Sequence, residues 1–167
     1  KKYFNHNQII IIRSSVYPGT CKRIIKILGK KFKNIAYCPE RVLPGNVFYE
    51  LIYNDRVIGG INNKSTNKAI KFYSKYVKGN LHPTNSRIAE MCKLVENSSR
   101  DVQIAFANEL SLICDRANIN VWNLINLANK HPRVNILNPS CGVGGHCIAV
   151  DPYFIVSDYP EETKLRS

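Results

Sequence analysis

Three features of the 167-residue sequence predict an α/β fold. Gln8-Ile9-Ile10-Ile11-Ile12-Arg13 is a short β-branched apolar run, the mark of a strand buried on both faces. It passes through Ser14-Ser15 and a Pro18-Gly19 turn into an amphipathic segment from Cys21 to about Leu28, the strand-turn-helix order of α/β domains. From Asn85 to about Ala117 there is no Pro or Gly, and Ile88, Cys92, Val95, Val102, Ala105/Phe106 and Leu112/Ile113 recur at a helical period. A helix of that length serves as a spine, often one shared by two subunits.

The elements follow in order. Ser14 and Ser15 stand at the carboxyl end of the first strand, where α/β sheets meet their ligands, or else they cap the next helix. Asn34–Cys38 is the second strand, and Pro39-Glu40-Arg41 follows at once. A carboxylate behind a rigid turn suits a general base; an ion pair with Arg41 is the alternative. Leu43-Pro44-Gly45-Asn46 reads as a turn and Arg56–Gly60 as a third strand. Residues 64–77 read as a basic helix and Gly79–Pro83 as a brief extended piece. At the head of the long helix, Ser86 with Glu90, or Thr84 with Arg87, forms an imperfect capping box. Lys93 and Asn97, four residues apart, project together from one face. That pair suits oxyanion stabilisation or proton transfer, unless it belongs to a solvated stripe with Glu90, Glu96, Arg100 and Asp101. Asn120 caps a shorter helix over 121–129, which His131-Pro132-Arg133 breaks.

The chain is organised around Asn138–Pro152, which includes Gly142-Val143-Gly144-Gly145-His146-Cys147. Glycines let the backbone approach a ligand closely. Asp151-Pro152 reads as an N-cap followed by proline at the first helical position, and the oriented N–H groups there favour a thiolate at Cys147. The alternative is a simple turn with a small buried thiol. The helix after Pro152 carries Tyr153-Phe154-Ile155-Val156 and gives way to a polar, frayed 157–167.

Composition narrows the classes. A formal charge of +12 attracts anions, but no nucleic-acid motif accompanies it. No signal peptide or membrane span is present in the sequence, so reduced thiols in a cytoplasm are expected of the six cysteines. Cys141, His146 and Cys147 lack a CxxC partner pair, and no metal site is expected. No G-x-G-x-x-G lies between a strand and a helix, so a dinucleotide is not held here by that fingerprint. The sequence starts at Lys1-Lys2-Tyr3 and reads as an internal fragment, inactive alone.

Seven ordered blocks together resemble the UDP-glucose/GDP-mannose dehydrogenase family, nearest the branch acting on UDP-N-acetyl-D-mannosamine. They are Arg13–Thr20, Tyr37–Gly45, Asn54–Gly60, Ala89–Asn97, Arg100–Leu110, His131–Leu137 and Gly142–Pro152. The resemblance implies a three-domain enzyme. Residues 1–83 would end an NAD-binding Rossmann-like domain, 84–160 would form a helical central domain dimerising through its long helix, and 161–167 would lead to a C-terminal domain. It further implies a cytoplasmic homodimer serving polysaccharide synthesis, bound to neither nucleic acid nor membrane. The cofactor would be NAD and the substrate a UDP-N-acetyl-hexosamine, oxidised twice at C6 through a thiohemiacetal and a thioester on Cys147. Lys93 and Asn97 would steady the oxyanion, Asp151 would hold a proton or water, and Glu40 would serve thioester hydrolysis. Ser14, Ser15 and Glu40 would meet the cofactor. Arg41, Val42, Leu43, Lys93, Asn97, Arg133, Asn135 and Gly144 would meet the substrate, Arg133 across the dimer. Val150 replaces the lysine of the UDP-glucose branch, while His146 and Ala149-Val150-Asp151-Pro152 look like the N-acetyl-hexosamine branch. Ser140-Cys141 departs from a proline- and glycine-rich pattern in relatives. UDP-N-acetylglucosamine and UDP-glucose are the alternative substrates, and a non-catalytic dimerisation or nucleic-acid-binding module is the alternative of another class.

Overall fold

A computed structural model describes residues 5, 7–29, 32–43, 45–143 and 147–163. The chain divides into two compact units, Lys1–Lys93 and Leu94–Ser167. Pro44, Gly144, Gly145, His146 and the tail from residue 164 lie outside the described residues.

The first unit is a four-stranded sheet in the order β1 (Ile10–Ile12), β2 (Ile35–Tyr37), β3 (Arg56–Gly60), β4 (Leu81–Asn85). The β1–β2 and β3–β4 pairs are parallel and β2–β3 is antiparallel. Alternation along the strands loads both faces. Ile35 and Tyr37 join Cys21 of α1 (Thr20–Leu28) and Ala89 on one side. On the other, Ala36, Cys38 and Ile58 pack with Ala69 and Tyr73 of α3 (Asn63–Tyr73). β2 is the fully buried strand, while the β1 isoleucines are only half-buried. The expected two-sided packing of the first strand is present but partial: Ile9 and Ile11 pack against one cluster and Ile10 and Ile12 against the other, and β1 has one strand neighbour among the described residues. β4 is the other end strand, which is where Pro83 is tolerated, since its missing N–H leaves no ladder bond broken inside the sheet.

A helix that the sequence reading passed over, α2 (Val47–Tyr53), follows the turn at Gly45, whose φ is +98°. Glu50 closes it onto the turn, its Oε2 accepting the Leu43 N–H at 2.8 Å and the Asn54 amide at 3.2 Å. The basic helix stops at Tyr73, and the extended piece after Gly79 becomes β4 over Leu81–Asn85.

The long helix, α4, runs Ser86–Ala117, close to its expected span. Its cap is neither of the two expected pairs. Asn85 Oδ1 accepts the Ile88 N–H at 3.0 Å, because β4 ends at Asn85 in an extended backbone and leaves that side chain over the first turn. α5 (Val121–Ala128) is capped as expected, Asn120 Oδ1 accepting the Asn123 N–H at 3.0 Å. In the second unit Cys114, Val121 and Ile125 form a small core with Leu110, Leu124 and Ile136 around them. Asn129 fixes the return of the chain, bonding both the N–H and the carbonyl of Ile136. The last helix, α6, is Asp151–Asp158. No helix among the described residues is long and apolar enough to cross a membrane.

Candidate active site

Within the first unit, parallel pairing puts the carboxyl ends of β1 and β2 side by side, and the Glu40 N–H donates to the Arg13 carbonyl at 3.1 Å. Ser14, exposed, and Ser15, half-buried, thus emerge beside Glu40. Neither serine caps α1. Its N-cap is Gly19, at φ +94°, and the N–H groups of Gly19 and Cys21 donate to the buried Glu90 carboxylate at 2.5 and 2.8 Å. α1 has no acid in its own first turn, so a carboxylate from α4 answers its free N–H groups.

Glu40 is bound on several sides. Its carboxylate pairs with Arg13 and with Arg56, the latter at 3.6 Å, and its Oε1 also accepts the Arg41 N–H at 3.0 Å. The Arg41 guanidinium reaches the Asp55 carbonyl at 3.5 Å. The sequence reading gave Arg56 no role, although an arginine opening a glycine-ended buried strand was the available signal. Val42 is half-buried, and Leu43 is exposed.

Glu90 and Asn97 are buried on α4, at 0% and 9% exposure, with Lys93 half-buried between them and Arg100 exposed. The solvated-stripe alternative fails for those two residues. In the second unit the Asn97 amide donates to Asp151 Oδ2 at 2.6 Å, and Asp151 is 2% exposed. Asp151 does not cap α6 as expected. The N-cap is Val150, with no side-chain cap bond, and the aspartate side chain turns inward to Asn97. The helix is preceded by a turn in which the Cys147 carbonyl accepts the N–H groups of Val150 at 3.2 Å and Asp151 at 2.9 Å. Pro152 has no N–H to offer the Ile148 carbonyl, so regular helix cannot extend back to the cysteine. Cys147 is left exposed at the mouth of that turn, one hydrogen bond from the backbone of Asp151.

All six cysteines are free. Burial, then the hydrogen bond and charge of Glu90, push the Cys21 thiol up; burial does the same to Cys38 against the opposing effects of Tyr73 and Arg56. These two are neutral core thiols, whereas Cys141 and Cys147 face solvent. Arg133 and Asn135 are exposed in the connection after α5, and Gly144 lies outside the described residues. Among the described residues no cluster of His, Cys, Asp and Glu could hold a metal. A groove of about 810 Å³, lined by Val95, Ser98, Val102 and Ile155, contains none of the expected site residues.

For a dinucleotide, the residues present fit one end only. Hydroxyls and a carboxylate gather at the ends of β1 and β2, but no glycine fingerprint for a pyrophosphate occurs in the sequence.

Comparison with known proteins matches two profiles of a single family. Residues 1–77 match the UDP-glucose/GDP-mannose dehydrogenase family, NAD binding domain, and residues 87–165 match the same family's central domain. A UDP-N-acetyl-D-mannosamine dehydrogenase from Campylobacter jejuni is 51% identical, across 98% of this chain and 44% of its own length. One from Yersinia pestis is 67% identical, across 79% of this chain and 31% of its own. The solved structure of a UDP-D-ManNAc dehydrogenase from Pyrococcus horikoshii aligns with a TM-score of 0.92 at 44% identity, covering 98% of this chain and 41% of that one. The chain thus spans less than half the length of these relatives.

Proposed function

This chain belongs to the UDP-glucose/GDP-mannose dehydrogenase family, and we propose that it forms part of an NAD-dependent enzyme oxidising UDP-N-acetyl-D-mannosamine to the 6-carboxylate. Residues 1–83 complete the cofactor domain, 84–160 make the central domain, and 161–167 lead toward a nucleotide-sugar domain. The observation that carries the reading is Asp151, whose buried carboxylate accepts from the Asn97 amide and whose backbone N–H donates to the Cys147 carbonyl. It ties an amide donor and an acid to the backbone of the residue that carries an exposed thiol, the residue types that covalent oxidation of an aldehyde requires.

Two NAD molecules, held in succession beside Ser14, Ser15 and Glu40, would each supply the acceptor for one of the two hydrides. In the first oxidation, C6 of the alcohol also loses its hydroxyl proton and becomes an aldehyde. Cys147 Sγ then bonds to that carbon, and Lys93 and Asn97 hold the resulting oxyanion. Loss of the second hydride leaves a thioester on Cys147. Water, activated by Glu40, adds to its carbonyl; the C–S bond breaks, the thiol is restored and the carboxylate leaves. Asp151 keeps Asn97 aimed and receives a proton. Ser14 and Ser15 meet the cofactor beside Glu40. Arg41, Val42, Leu43, Arg133, Asn135 and Gly144 meet the nucleotide sugar, and the surplus positive charge suits its diphosphate. The enzyme acts as a homodimer through α4, whose outward apolar residues support that assembly.

The test is NADH release by the full-length enzyme with UDP-N-acetylmannosamine, UDP-N-acetylglucosamine and UDP-glucose in parallel. About two NADH per UDP-N-acetylmannosamine, lost in Cys147→Ser, is the expected result for a covalent thiol mechanism. Preference for another sugar corrects the substrate, and no turnover with any of them overturns the reading.

A further inference from the structure

We propose that Arg56 is the positioning residue of Glu40, holding its carboxylate for the hydrolytic half of the reaction; this rests on the function proposed above. Arg56 opens β3, is 3% exposed, and lies 3.6 Å from Glu40 Oε1. Its Nη2 donates to the Leu51 carbonyl at 3.1 Å, and its guanidinium carbon stands 5.3 Å from the centre of the Tyr73 ring. Helix α2, helix α3 and the sheet therefore converge on one buried cation, and that cation faces the carboxylate at the end of β2.

Stability alone accounts poorly for such a residue. Arg56 Nε is buried without a hydrogen-bond partner among the described residues. Its partner Glu40 is only part-buried, at 28% exposure, and a buried charge left partly unsatisfied is commonly no better for folding than apolar side chains of the same volume. What the guanidinium supplies is direction. The partner on the other side, Arg13, is a half-exposed side chain, whereas Arg56 is fixed by Tyr73 and the Leu51 carbonyl. A rigid planar cation against Glu40 limits the orientations its carboxylate takes at the strand ends where Ser14 and Ser15 emerge. Lysine does not reproduce this, since a single ammonium cannot stack on Tyr73 and span both oxygen partners.

The experiment is Arg56→Lys in the full-length enzyme, with UDP-N-acetylmannosamine and NAD, by rapid mixing and intact-protein mass spectrometry. The first turnover should release NADH within about twofold of the parent rate. Steady-state turnover should fall about tenfold or more, the scale of a misplaced general base. During that steady state a covalent sugar adduct should accumulate on Cys147. In a Glu40→Gln background the same substitution should slow turnover no further. Slower turnover without the adduct, or an equal additional loss in the Glu40→Gln background, assigns Arg56 a merely structural role and overturns the proposal; unchanged turnover does the same. If Arg56→Lys does not fold, thermal melting of Glu40→Gln decides. Neutralising Glu40 leaves the buried guanidinium short of an anion, so the melting temperature drops by several degrees if the pair is coupled, and an unchanged value overturns the coupling. Absence of NADH release and of any adduct in the parent enzyme instead rejects the functional reading, which separates the two failures.

Discussion

Glu90 shows how one side chain serves two elements far apart in sequence. It is fully buried, and its two oxygens accept the N–H groups of Gly19 and Cys21 across 71 and 69 residues. α1 starts at a glycine with no side chain to offer, so the carboxylate from α4 takes the place of a local cap. Glu90 also stands one turn before Lys93, and the same contact ties the loop after Ser15 to the helix that carries the lysine. Glu90→Gln keeps the volume but replaces one acceptor oxygen by an NH₂ group that faces a donor. We expect a loss of about 2 kcal/mol, the usual cost for a hydrogen bond to a buried charged group. It should read as a lower urea midpoint at unchanged slope. A midpoint that does not move would mean the two N–H groups find other partners.

At the scale of elements, what was legible followed from local pattern, and what was hidden depended on distant neighbours. The 32 residues of α4 are an uninterrupted run of helix-compatible residues, and β2 and β3 are apolar runs closed by Pro39 and by Gly59-Gly60. α2 was invisible because Val47-Phe48-Tyr49 has strand-like composition and the helix is held by Glu50 reaching back to Leu43. Thr84, Asn85 and Ser86 are all able to cap, and the choice among them is made by where β4 stops pairing with β3, which no local rule reveals. The residues proposed for the site are drawn from the same local pattern: Cys147, Asp151, Asn97 and Glu40 stand in chemically suggestive settings in the sequence. Their partners were not readable there, because the Asn97–Asp151 bond joins positions 54 residues apart and Arg56 meets Glu40 across two strands. Gly59 marks the join between sheet and long helix. A Cβ there would lie 2.3 Å from the Asn85 carbonyl and 2.6 Å from the Ala89 Cβ. Backbone and a core methyl group cannot both yield, so Gly59→Ala must push α4 off β3. Overpacking of this kind costs about 3 kcal/mol. Calorimetry should find a clearly lower melting temperature, and a substitution that melts like the parent would show that the contact relaxes freely.

For the whole molecule, the outward face of α4 carries the prediction about assembly. Ile88, Val95, Val102, Phe106 and Ile113 are each about half exposed, at 52, 50, 44, 53 and 61%. At about 100° per residue their separations keep all five within an arc of about 40°, so they form one stripe along the helix. The buried face combines Leu94 and Cys114 with smaller or polar side chains, among them Ala89, Glu90, Asn97 and Ala107. A helix that carries an exposed apolar stripe in addition to its buried face is patterned for a second apolar surface. A second copy of α4 supplies that surface under the homodimer reading, and the same pattern would be a liability in a monomer. Phe106→Glu introduces a charge in the middle of the stripe. Each copy would bring one carboxylate to a two-fold contact, where desolvation and mutual repulsion both oppose association. The parent enzyme should sediment as a dimer at micromolar concentration, and Phe106→Glu as a folded monomer with an unchanged circular dichroism spectrum. Dimers that persist in the variant would move the interface off this stripe, while a parent that sediments as a monomer would reject assembly through α4.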